Sequence, residues 1–316
     1  MIENKKIGVV VPAFNEEKLI GRVIETMPSY VDRILIVDDQ SRDQTADVVR
    51  SYVKKHPDHV LLIQHAQNKG VGGAILTGYK AALKEEIDVV VVMAGDAQMD
   101  PNDLDRLIAP VVRGEVDYAK GNRLFRGESW EMIPHYRYLG NSVLSLLTKF
   151  ASGYWHIADS QCGYTAISKR ALARLNFDRI YPRYGFPNDL LIELNIAAFK
   201  VADVSVRPVY NIGEISGIRL KKVIPVISWL LFKGFFRRMG LKYVIKDFHP
   251  LIFFYALGMV LLPLGTLMGF YLVAYRILVG PVATTSALFS AFLIISGLQS
   301  LFFGMWFDMD YNKHLR

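Results

Sequence analysis

Residues 89–101 read Val-Val-Val-Val-Met-Ala-Gly-Asp-Ala-Gln-Met-Asp-Pro. The first part is a run of β-branched residues without polar alternation, which is typical of a central parallel strand covered on both faces. The second part is a turn of small residues that carries Asp96, Gln98 and Asp100. Because open α/β sheets bind ligands at the carboxyl ends of their strands, the stretch predicts an α/β sheet with a ligand site at this edge.

The polar side chains of this turn predict a metal site. Carboxylate and amide oxygens beside a nucleotide cleft favour Mg²⁺ or Mn²⁺ holding a diphosphate, and we assign this role to Asp96 and Gln98. The alternative is a solvated loop whose carboxylate caps the next helix. Asp100 followed by Pro101 fits that alternative, because Asp is a common N-cap and Pro is common at the first helical position. We therefore predict a capping role for Asp100.

The sequence before residue 89 alternates short apolar runs with amphipathic stretches, the order of a parallel sheet with covering helices. The predicted strands are Lys6–Pro12, Arg33–Val37, His59–His65 and Val89–Met93, and the predicted helices include Glu16–Met27 and Ala74 to about Lys84. Residues 117–207 are mixed and contain further candidates for the site.

The ends of the earlier strands also carry groups suited to a nucleotide. Pro12 opens a loop where a flat base can approach the backbone. Asp38 or Asp39 can accept a hydrogen bond from a base or a ribose, although capping of the next helix explains either residue equally well. Residues 68–73, Asn-Lys-Gly-Val-Gly-Gly, provide a cation and a flexible backbone without the spacing of a P-loop.

Composition limits the class of protein. The chain has 316 residues, a net charge of +7 and 52% hydrophobic residues. Its one cysteine, Cys162, excludes an internal disulfide, so nothing indicates an oxidising compartment. The N-terminal Met-Ile-Glu-Asn-Lys-Lys leaves no room for a signal peptide before the first strand, which predicts a cytoplasmic catalytic part.

The C-terminal third predicts membrane attachment. From Arg219 to Lys246 basic residues alternate with aromatic and aliphatic ones, as in an interfacial helix on anionic lipid, and a nucleic-acid patch is the disfavoured alternative. Two uncharged runs follow, at 250–275 and 277–307, and each exceeds the ~20 residues needed to cross a bilayer. The basic flank, with Lys313 and Arg316, outweighs Arg276 between the runs, which predicts that both termini are cytoplasmic.

These patterns predict four regions: a catalytic domain at 1–218, basic amphipathic helices at 219–249, a transmembrane hairpin at 250–307 with spans at about 250–275 and 281–307, and a cytoplasmic tail at 308–316. Gly258, Gly265 and Gly269 permit close helix packing, so a homo-oligomer through the hairpin is a further expectation.

Taken together, the strand ends resemble the GT-A fold of family 2 glycosyltransferases. The matching segments are Pro-Ala-Phe-Asn-Glu at 12–16, Asp-Asp-x-Ser-x-Asp-x-Thr at 38–45, Asn-Lys-Gly at 68–70 and Gly-Asp-Ala-Gln at 95–98. Over residues 6 to about 225 the pattern resembles the polyprenyl-phosphate branch, typified by the dolichol-phosphate mannose synthases and bacterial polyprenyl-phosphate glucosyltransferases. The expected fold class is a mostly parallel, Rossmann-like GT-A domain followed by interfacial helices and a two-helix hairpin.

The resemblance implies roles at the donor. It places the nucleotide sugar against Pro12, Ala13, Glu16, Asp38 or Asp39, Lys69 and Asp96. Asp96 matches the second Asp of the family's Asp-x-Asp motif, and Gln98 matches a metal-associated glutamine. Ala94 stands where the family has the first Asp, so the metal would depend on Asp96, Gln98, the diphosphate and water.

The resemblance also implies an acceptor site for a lipid phosphate. Its residues are Arg123, Arg137, Asn141, Arg219 and Lys221, of which the last two lie on or beside a loop at 213–221 that closes over the site. Asp159 would lie near the donor sugar and Asp189 near the acceptor, while Glu193 is expected to face solvent. Cys162 is expected to be a packed residue.

The implied reaction is an inverting, metal-dependent transfer of a hexose from GDP-mannose, UDP-glucose or UDP-N-acetylglucosamine to a dolichyl or undecaprenyl phosphate. A phosphate is already largely dianionic at neutral pH, so positioning and charge neutralisation replace a strong base. One alternative is a glycolipid or polysaccharide transferase with a hydroxyl acceptor and Asp189 as base. Another is an inactive, membrane-tethered subunit that binds nucleotide sugars.

Overall fold

The computed structural model describes residues 2–124, 135–207, 209 and 220–316, and for 135–139, 141 and 220–222 it describes the backbone alone. The strands are β1 (Ile7–Ala13), β2 (Arg33–Asp38), β3 (Val60–Gln64), β4 (Val89–Val92), β5 (Tyr118–Asn122), β6 (Thr165–Ser168) and β7 (Val201–Ser205). The helices are α1 (Ile20–Glu25), α2 (Thr45–Lys55), α3 (Val71–Lys84), α4 (Leu104–Val112), α5 (His135–Ser152), α6 (Lys169–Arg174), α7 (Phe186–Ile196), α8 (Leu220–Gly240), α9 (Leu251–Leu278) and α10 (Thr284–Asn312). A π-helical turn at Leu241–Lys246 follows α8.

The seven strands form one sheet in the order β3-β2-β1-β4-β6-β5-β7. β6 is antiparallel to its neighbours β4 and β5, and the other pairs are parallel. This arrangement confirms the predicted mostly parallel sheet. The chain divides into two compact units, residues 1–235 with 315–316, and residues 236–314. The sheet belongs to the first unit, and α9 and α10 belong to the second.

Helices cover both faces of the central strands. Val89 and Val91 of β4 pack in one apolar layer, and Val90 and Val92 pack in the other. All four are buried, which is why the strand is apolar at every position and shows no alternation. The polar groups next to β4 therefore follow the strand, whose carboxyl end leads directly into residues 93–100.

Two helices begin at residues other than those predicted. α1 begins at Ile20 instead of Glu16, and the N–H groups of Asn15, Glu16 and Glu17 bond to side chains of residues 41–45. α3 begins at Val71, three residues before the predicted Ala74.

The second unit contains two helices that are long and apolar enough to cross a membrane, and only 22% of each apolar window is buried. α9 continues through Arg276 to Leu278, so the connection between the helices is 279–283. Glycines allow the two helices to approach closely: a Cβ on Gly258 would lie 2.6 Å from Leu301 Cγ, and one on Gly265 would lie 2.8 Å from the Ile294 nitrogen. These glycines therefore serve packing within the hairpin, which removes the reason we gave for expecting oligomers through them.

A buried ion pair stabilises the second unit at the end of α10. Arg238 and Asp308 are both fully buried, and the guanidinium donates from Nη1 to Oδ1 at 2.7 Å and from Nη2 to Oδ2 at 2.9 Å. The Tyr243 hydroxyl donates to the same carboxylate, and Lys242 Nζ donates to Asn312 Oδ1 at 2.6 Å. The pair thus connects the end of α10 to residues 238–243.

We predict that Asp308→Ala lowers the free energy of unfolding by about 3–5 kcal/mol, because it leaves the Arg238 guanidinium buried without its counter-charge. The matched control is Asp310→Ala, which breaks the exposed 2.7 Å pair with Lys313 and should change stability by less than about 1 kcal/mol. Unfolding of the detergent-solubilised chain measures both effects. Equal shifts for the two variants would contradict the assignment.

Candidate active site

The carboxyl ends of the central strands meet at one edge of the sheet. Ala13 pairs with Asp38 in the register of β1 and β2, and the Asp39 nitrogen donates to the Ala13 carbonyl at 2.9 Å. From β4, the Gly95 nitrogen donates to the Pro12 carbonyl at 3.2 Å. The structure therefore brings together three of the predicted segments, at 12–16, 38–45 and 95–98.

Asp39 holds the loop that follows β3. Its Oδ1 accepts hydrogen bonds from His65 Nδ1 at 2.7 Å and from the Lys69 nitrogen at 2.8 Å, and its Oδ2 accepts from the Gly70 nitrogen at 2.8 Å. Its backbone carbonyl accepts from Asn68 Nδ2 at 3.0 Å. Since the side chain is buried and both oxygens accept N–H groups, Asp39 positions Lys69 at the edge of the site.

Asp38 has a smaller set of contacts. Its Oδ1 accepts from the Ser41 nitrogen at 3.2 Å, and its Oδ2 accepts from Gln64 Nε2 at 3.3 Å. The sequence left Asp38 and Asp39 as equal candidates for the base side of the nucleotide. Both side chains are buried, and Asp38 accepts fewer and longer hydrogen bonds than Asp39.

The glycines after Lys69 allow a close backbone contact. Gly70 has φ +83°, and a Cβ there would lie 2.9 Å from the Pro182 carbonyl oxygen. The Gly73 nitrogen donates to the same oxygen at 2.8 Å. The sequence suggested a flexible backbone here, but the structure shows that these glycines let residues 182–186 lie against the start of α3.

Asp189 holds the chain at Tyr181, just before residues 182–186. It lies in the first turn of α7 with 1% of its surface exposed, and its Oδ2 accepts from the Tyr181 nitrogen at 2.8 Å. Glu193, one turn later, is buried, so the expectation that it faces solvent is wrong. The reason is that the residues of α7 are buried along its whole length.

Negative charge accumulates where the loop after β1 faces the turn after β4. The Glu16 nitrogen donates to Thr45 Oγ1 at 2.8 Å, which holds the loop against residues 41–45. Burial, with the nearby carboxylates of Asp96 and Asp43, raises the pKa of Glu16 to about 7. Because the carboxylates here make it harder to ionise Glu16, the local charge is negative and would favour binding of a cation.

The turn after β4 presents the predicted metal ligands. Asp96 Oδ1 accepts from the Gln98 nitrogen at 3.1 Å, and both side chains are partly exposed. Asp100 accepts from the Asn102 nitrogen at 2.9 Å, which confirms its capping role. Among the residues that the structure describes, no three Asp, Glu, His or Cys side chains converge as a complete metal site. Asp96 and Gln98 offer the carboxylate and amide oxygens that Mg²⁺ accepts as ligands, and a complete site would need further ligands such as phosphate and water.

Arg123 and Asp159 form a bidentate pair in the region predicted to hold the sugar and the acceptor. Arg123 Nε donates to Oδ2 at 2.7 Å, and Nη2 donates to Oδ1 at 3.1 Å. Asp159 is fully buried, and the guanidinium lowers the pKa of its carboxyl. The carboxylate therefore fixes the plane of the Arg123 side chain.

Sequence reasoning missed the polar residues beneath this pair. Lys120 on β5 is fully buried, and its Nζ donates to the Cys162 carbonyl at 2.5 Å. Asn122 Nδ2 donates to Asp203 Oδ2 at 2.6 Å. The available signal was a Lys and an Asn within a strand whose other positions are apolar or glycine. Burial raises the pKa of the Cys162 thiol, which agrees with its expected role as a packed residue.

A second network that the sequence did not reveal connects α5 to α7. Gln161 Nε2 donates to Ser160 Oγ at 2.7 Å and to Asn188 Oδ1 at 3.3 Å. Asn188 Nδ2 donates to Thr148 Oγ1 at 2.7 Å, and the Ser160 nitrogen donates to Ser145 Oγ at 3.1 Å. The segment around Asp159 is thereby fixed to the helix that carries two of the predicted acceptor residues.

Four predicted acceptor residues cannot be placed by their side chains. Arg137 and Asn141 lie in α5 and Lys221 lies in the first turn of α8, but their side chains are outside the described residues. Arg219 and the rest of the predicted closing loop also lie outside them.

We predict a pH dependence of stability that comes from Glu16. Because its folded pKa of about 7 exceeds the ordinary glutamate value of 4.5, the folded state keeps a proton that the unfolded state releases between these pH values. Stability from this group is therefore lost as the pH rises from 5 to 8. In the presence of EDTA, Glu16→Gln should show a smaller fall in Tm over this range than the parent chain. The exposed control Glu115→Gln should match the parent, and identical profiles for all three would contradict the prediction.

Comparison with known proteins agrees with this geometry. The family model described as "Glycosyl transferase family 2" matches residues 8–175. The UDP-N-acetylglucosamine–dolichyl-phosphate N-acetylglucosaminyltransferase of Methanococcus voltae is 32% identical over 251 residues, which cover 76% of this chain and 97% of the relative. The polyprenol monophosphomannose synthase of Mycolicibacterium smegmatis is 26% identical and covers 70% of this chain and 85% of the relative.

Among solved structures, glucosyl-3-phosphoglycerate synthase from Mycobacterium tuberculosis, in complex with Mn²⁺, UDP and phosphoglyceric acid, has a similar fold. Its TM-score is 0.55 at 21% identity, with 75% of this chain and 80% of that chain covered. This likeness supports the GT-A fold. Together with the family match over more than half of the chain, the sheet, its polar edge and these relatives lead to one conclusion: the chain belongs to glycosyl transferase family 2 and is a glycosyltransferase.

Proposed function

We propose that this glycosyltransferase moves a hexose from a nucleotide sugar to the phosphate of a membrane polyprenyl phosphate and inverts the anomeric carbon. The main support is the similarity to the dolichyl-phosphate N-acetylglucosaminyltransferase of Methanococcus voltae. The match covers 97% of the length of that relative. The geometry favours the same acceptor over a hydroxyl. Asp189, the candidate base for a hydroxyl, is buried and accepts the Tyr181 N–H, so it is poorly placed to take a proton from a sugar or lipid alcohol.

A phosphate acceptor needs charge and position from the protein. Its second pKa is about 6, so the nucleophilic oxygen is already ionised at neutral pH. Guanidinium groups bind phosphate through paired hydrogen bonds, and we assign this to Arg123 and Arg137, with Asn141 beside them. Asp159 holds the Arg123 guanidinium in one plane before the acceptor arrives. Such preorganisation lowers the barrier because the charges need no rearrangement during the reaction.

The donor lies along the edge formed by β1, β2 and β4. Pro12, Ala13 and Glu16 frame the base and ribose, and Asp38 accepts from the base side. Asp39 acts indirectly by holding the loop of Lys69, whose ammonium faces the diphosphate. The named relatives use different sugars, N-acetylglucosamine in one and mannose in the other, so a donor screen has to include GDP-mannose, UDP-glucose and UDP-N-acetylglucosamine.

The donor set of the turn after β4 fits Mg²⁺ or Mn²⁺. Asp96 and Gln98 would hold the ion with the diphosphate, and the carboxylates that raise the pKa of Glu16 supply the surrounding negative charge. When bound, a divalent ion neutralises charge on the leaving nucleoside diphosphate. Lys69 adds a positive charge to the same group.

The acceptor explains the C-terminal part of the chain. We assign 1–218 to the catalytic domain, 219–249 to the membrane surface, 250–307 to a hairpin that spans the bilayer, and 308–316 to a tail, with both termini in the cytoplasm. On α8, the exposed rings of Trp229 and Phe232 stack, and Lys233 Nζ lies 5.1 Å above the Trp229 ring. Aromatic rings with cations are typical of a helix at the headgroup level, where Arg219 and Lys221 also meet lipid phosphates.

We predict that the full chain in liposomes with a polyprenyl phosphate transfers sugar from one of the three donors when Mg²⁺ or Mn²⁺ is present. Mass spectrometry identifies the product, which should be cleaved by mild acid because the sugar is linked through phosphate. EDTA and Asp96→Asn should remove the activity, whereas the exposed control Asp58→Asn should not. Absence of product with every donor would refute the proposal, and an acid-resistant product would refute the phosphate linkage.

We predict that Arg137→Ala lowers turnover at least about 100-fold, because it removes a charged donor from the nucleophile. Binding of the nucleoside diphosphate should stay within about twofold of the parent, since the donor edge is untouched. The control Arg113→Ala removes an exposed arginine that pairs with Glu115 and should leave both measurements unchanged. Unchanged turnover of Arg137→Ala would exclude this residue from the site.

A further inference from the structure

One carboxamide side chain interrupts the apolar part of the hairpin. Across 251–275 and 277–307, Gln299 is the only residue with a charged, imidazole or carboxamide side chain. It lies nine residues before Asp308, which is about 14 Å at 1.5 Å per residue. If the hairpin spans the bilayer as proposed above, this amide is within the ~30 Å hydrocarbon core.

Gln299 points away from the partner helix of the hairpin. A Cβ on Gly297 would lie 2.6 Å from the Leu262 nitrogen, so that side of α10 faces α9. Gln299 follows Gly297 by two residues, which rotates its position around the helix axis by about 200°. Gln299 is accordingly exposed, while Gly297, Ser300 and Gly304 are buried.

The residues on the same side as Gln299 form a regular pattern, which we call the outer stripe. Its members are exposed and are spaced alternately four and three residues apart along the helix. They are Leu288, Phe292, Ile295, Gln299, Phe302 and Trp306. This spacing is the heptad repeat by which two helices pack along a common seam. The pattern runs along most of α10.

Lipid can cover the apolar members of the outer stripe, but it cannot satisfy Gln299. Hydrocarbon offers no hydrogen-bond partner, so an amide exposed to it loses the bonds that it makes in water. Within the described part of the chain, none of the hydrogen bonds found involves the Gln299 side chain. The apolar residues therefore need no protein partner, whereas Gln299 does.

We infer that the outer stripe is where two copies of this chain meet in the membrane, with their Gln299 amides hydrogen-bonded to each other. A carboxamide both donates and accepts, so it is complementary to itself. Copies inserted in the same orientation present Gln299 at the same depth, and a two-fold axis places each residue opposite its equivalent. In coiled coils, a single polar residue in the heptad seam also fixes how the helices align with each other and how many helices associate.

The first test measures association by energy transfer between two labelled populations in liposomes as the protein-to-lipid ratio falls. Gln299→Leu keeps the volume of the side chain and should weaken the dimer about tenfold, the effect of one hydrogen bond between membrane helices. Gln299→Asn should retain association. Leu267→Ala, at an exposed position of α9 outside the outer stripe, should match the parent. Equal association for the parent and Gln299→Leu would overturn the inference.

The second test does not depend on altering Gln299. In a Cys162→Ala background, Phe302→Cys on the outer stripe should form a disulfide-linked dimer in oxidised native membranes, and Leu267→Cys should not. Linkage of Phe302→Cys to a different protein, or no linkage at all, would overturn the pairing of two copies. Glycosyl transfer is measured on the same samples. Loss of transfer in the parent speaks against the proposed function, whereas loss of the dimer with normal transfer speaks against this interface alone.

Discussion

Burial of the central strands on both faces is the constraint on which the rest of the catalytic unit depends. Because Val89 to Val92 are covered from both sides, β4 cannot carry a polar group along its length. The polar groups that follow β4 therefore lie at its end, and the parallel pairing of β1, β2, β3 and β4 gathers the ends of these strands at one edge. The polar edge of the sheet, where we propose that the diphosphate binds, is a consequence of this burial.

The buried carboxylates of this edge position other groups. Asp39 holds the backbone of Lys69 and Gly70, Asp159 holds the Arg123 guanidinium, and Asp189 holds the Tyr181 N–H. Each is almost fully buried and accepts N–H groups, which holds its carboxylate in a single geometry. The partly exposed acids, Glu16 and Asp96, remain at the surface where a cation and a nucleotide would bind. This division suits a reaction that depends on aligned charges more than on a strong base.

The hairpin follows different physical rules. Its glycines allow α9 and α10 to approach closely, and the Arg238–Asp308 pair fixes the end of α10 to the last turn of α8. Inside a bilayer, exposing an apolar side chain to lipid costs little free energy, whereas leaving an amide without hydrogen bonds costs much. Gln299 therefore indicates a protein contact, and the aromatic residues around it do not. The same side chain on a water-exposed helix would indicate nothing.

The sequence by itself determined the mostly parallel sheet, the apolar helices of the hairpin, the capping role of Asp100 and the segments that meet at the polar edge of the sheet. These follow from patterns of neighbouring residues, because strand burial, helix length and turn chemistry are local properties. Only the tertiary structure showed that Asp39 holds the loop of Lys69 and that Glu193 is buried. It also revealed the contacts of Lys120, Gln161 and Asn188. Those outcomes depend on contacts between residues far apart in the chain, such as Asp39 with Gly70 and Gln161 with Asn188, which no local pattern encodes. Residues 89–101 show both parts of this division. Their valines predict the sheet, whereas any role of Asp96 and Gln98 depends on the residues that β1 and β2 place beside them.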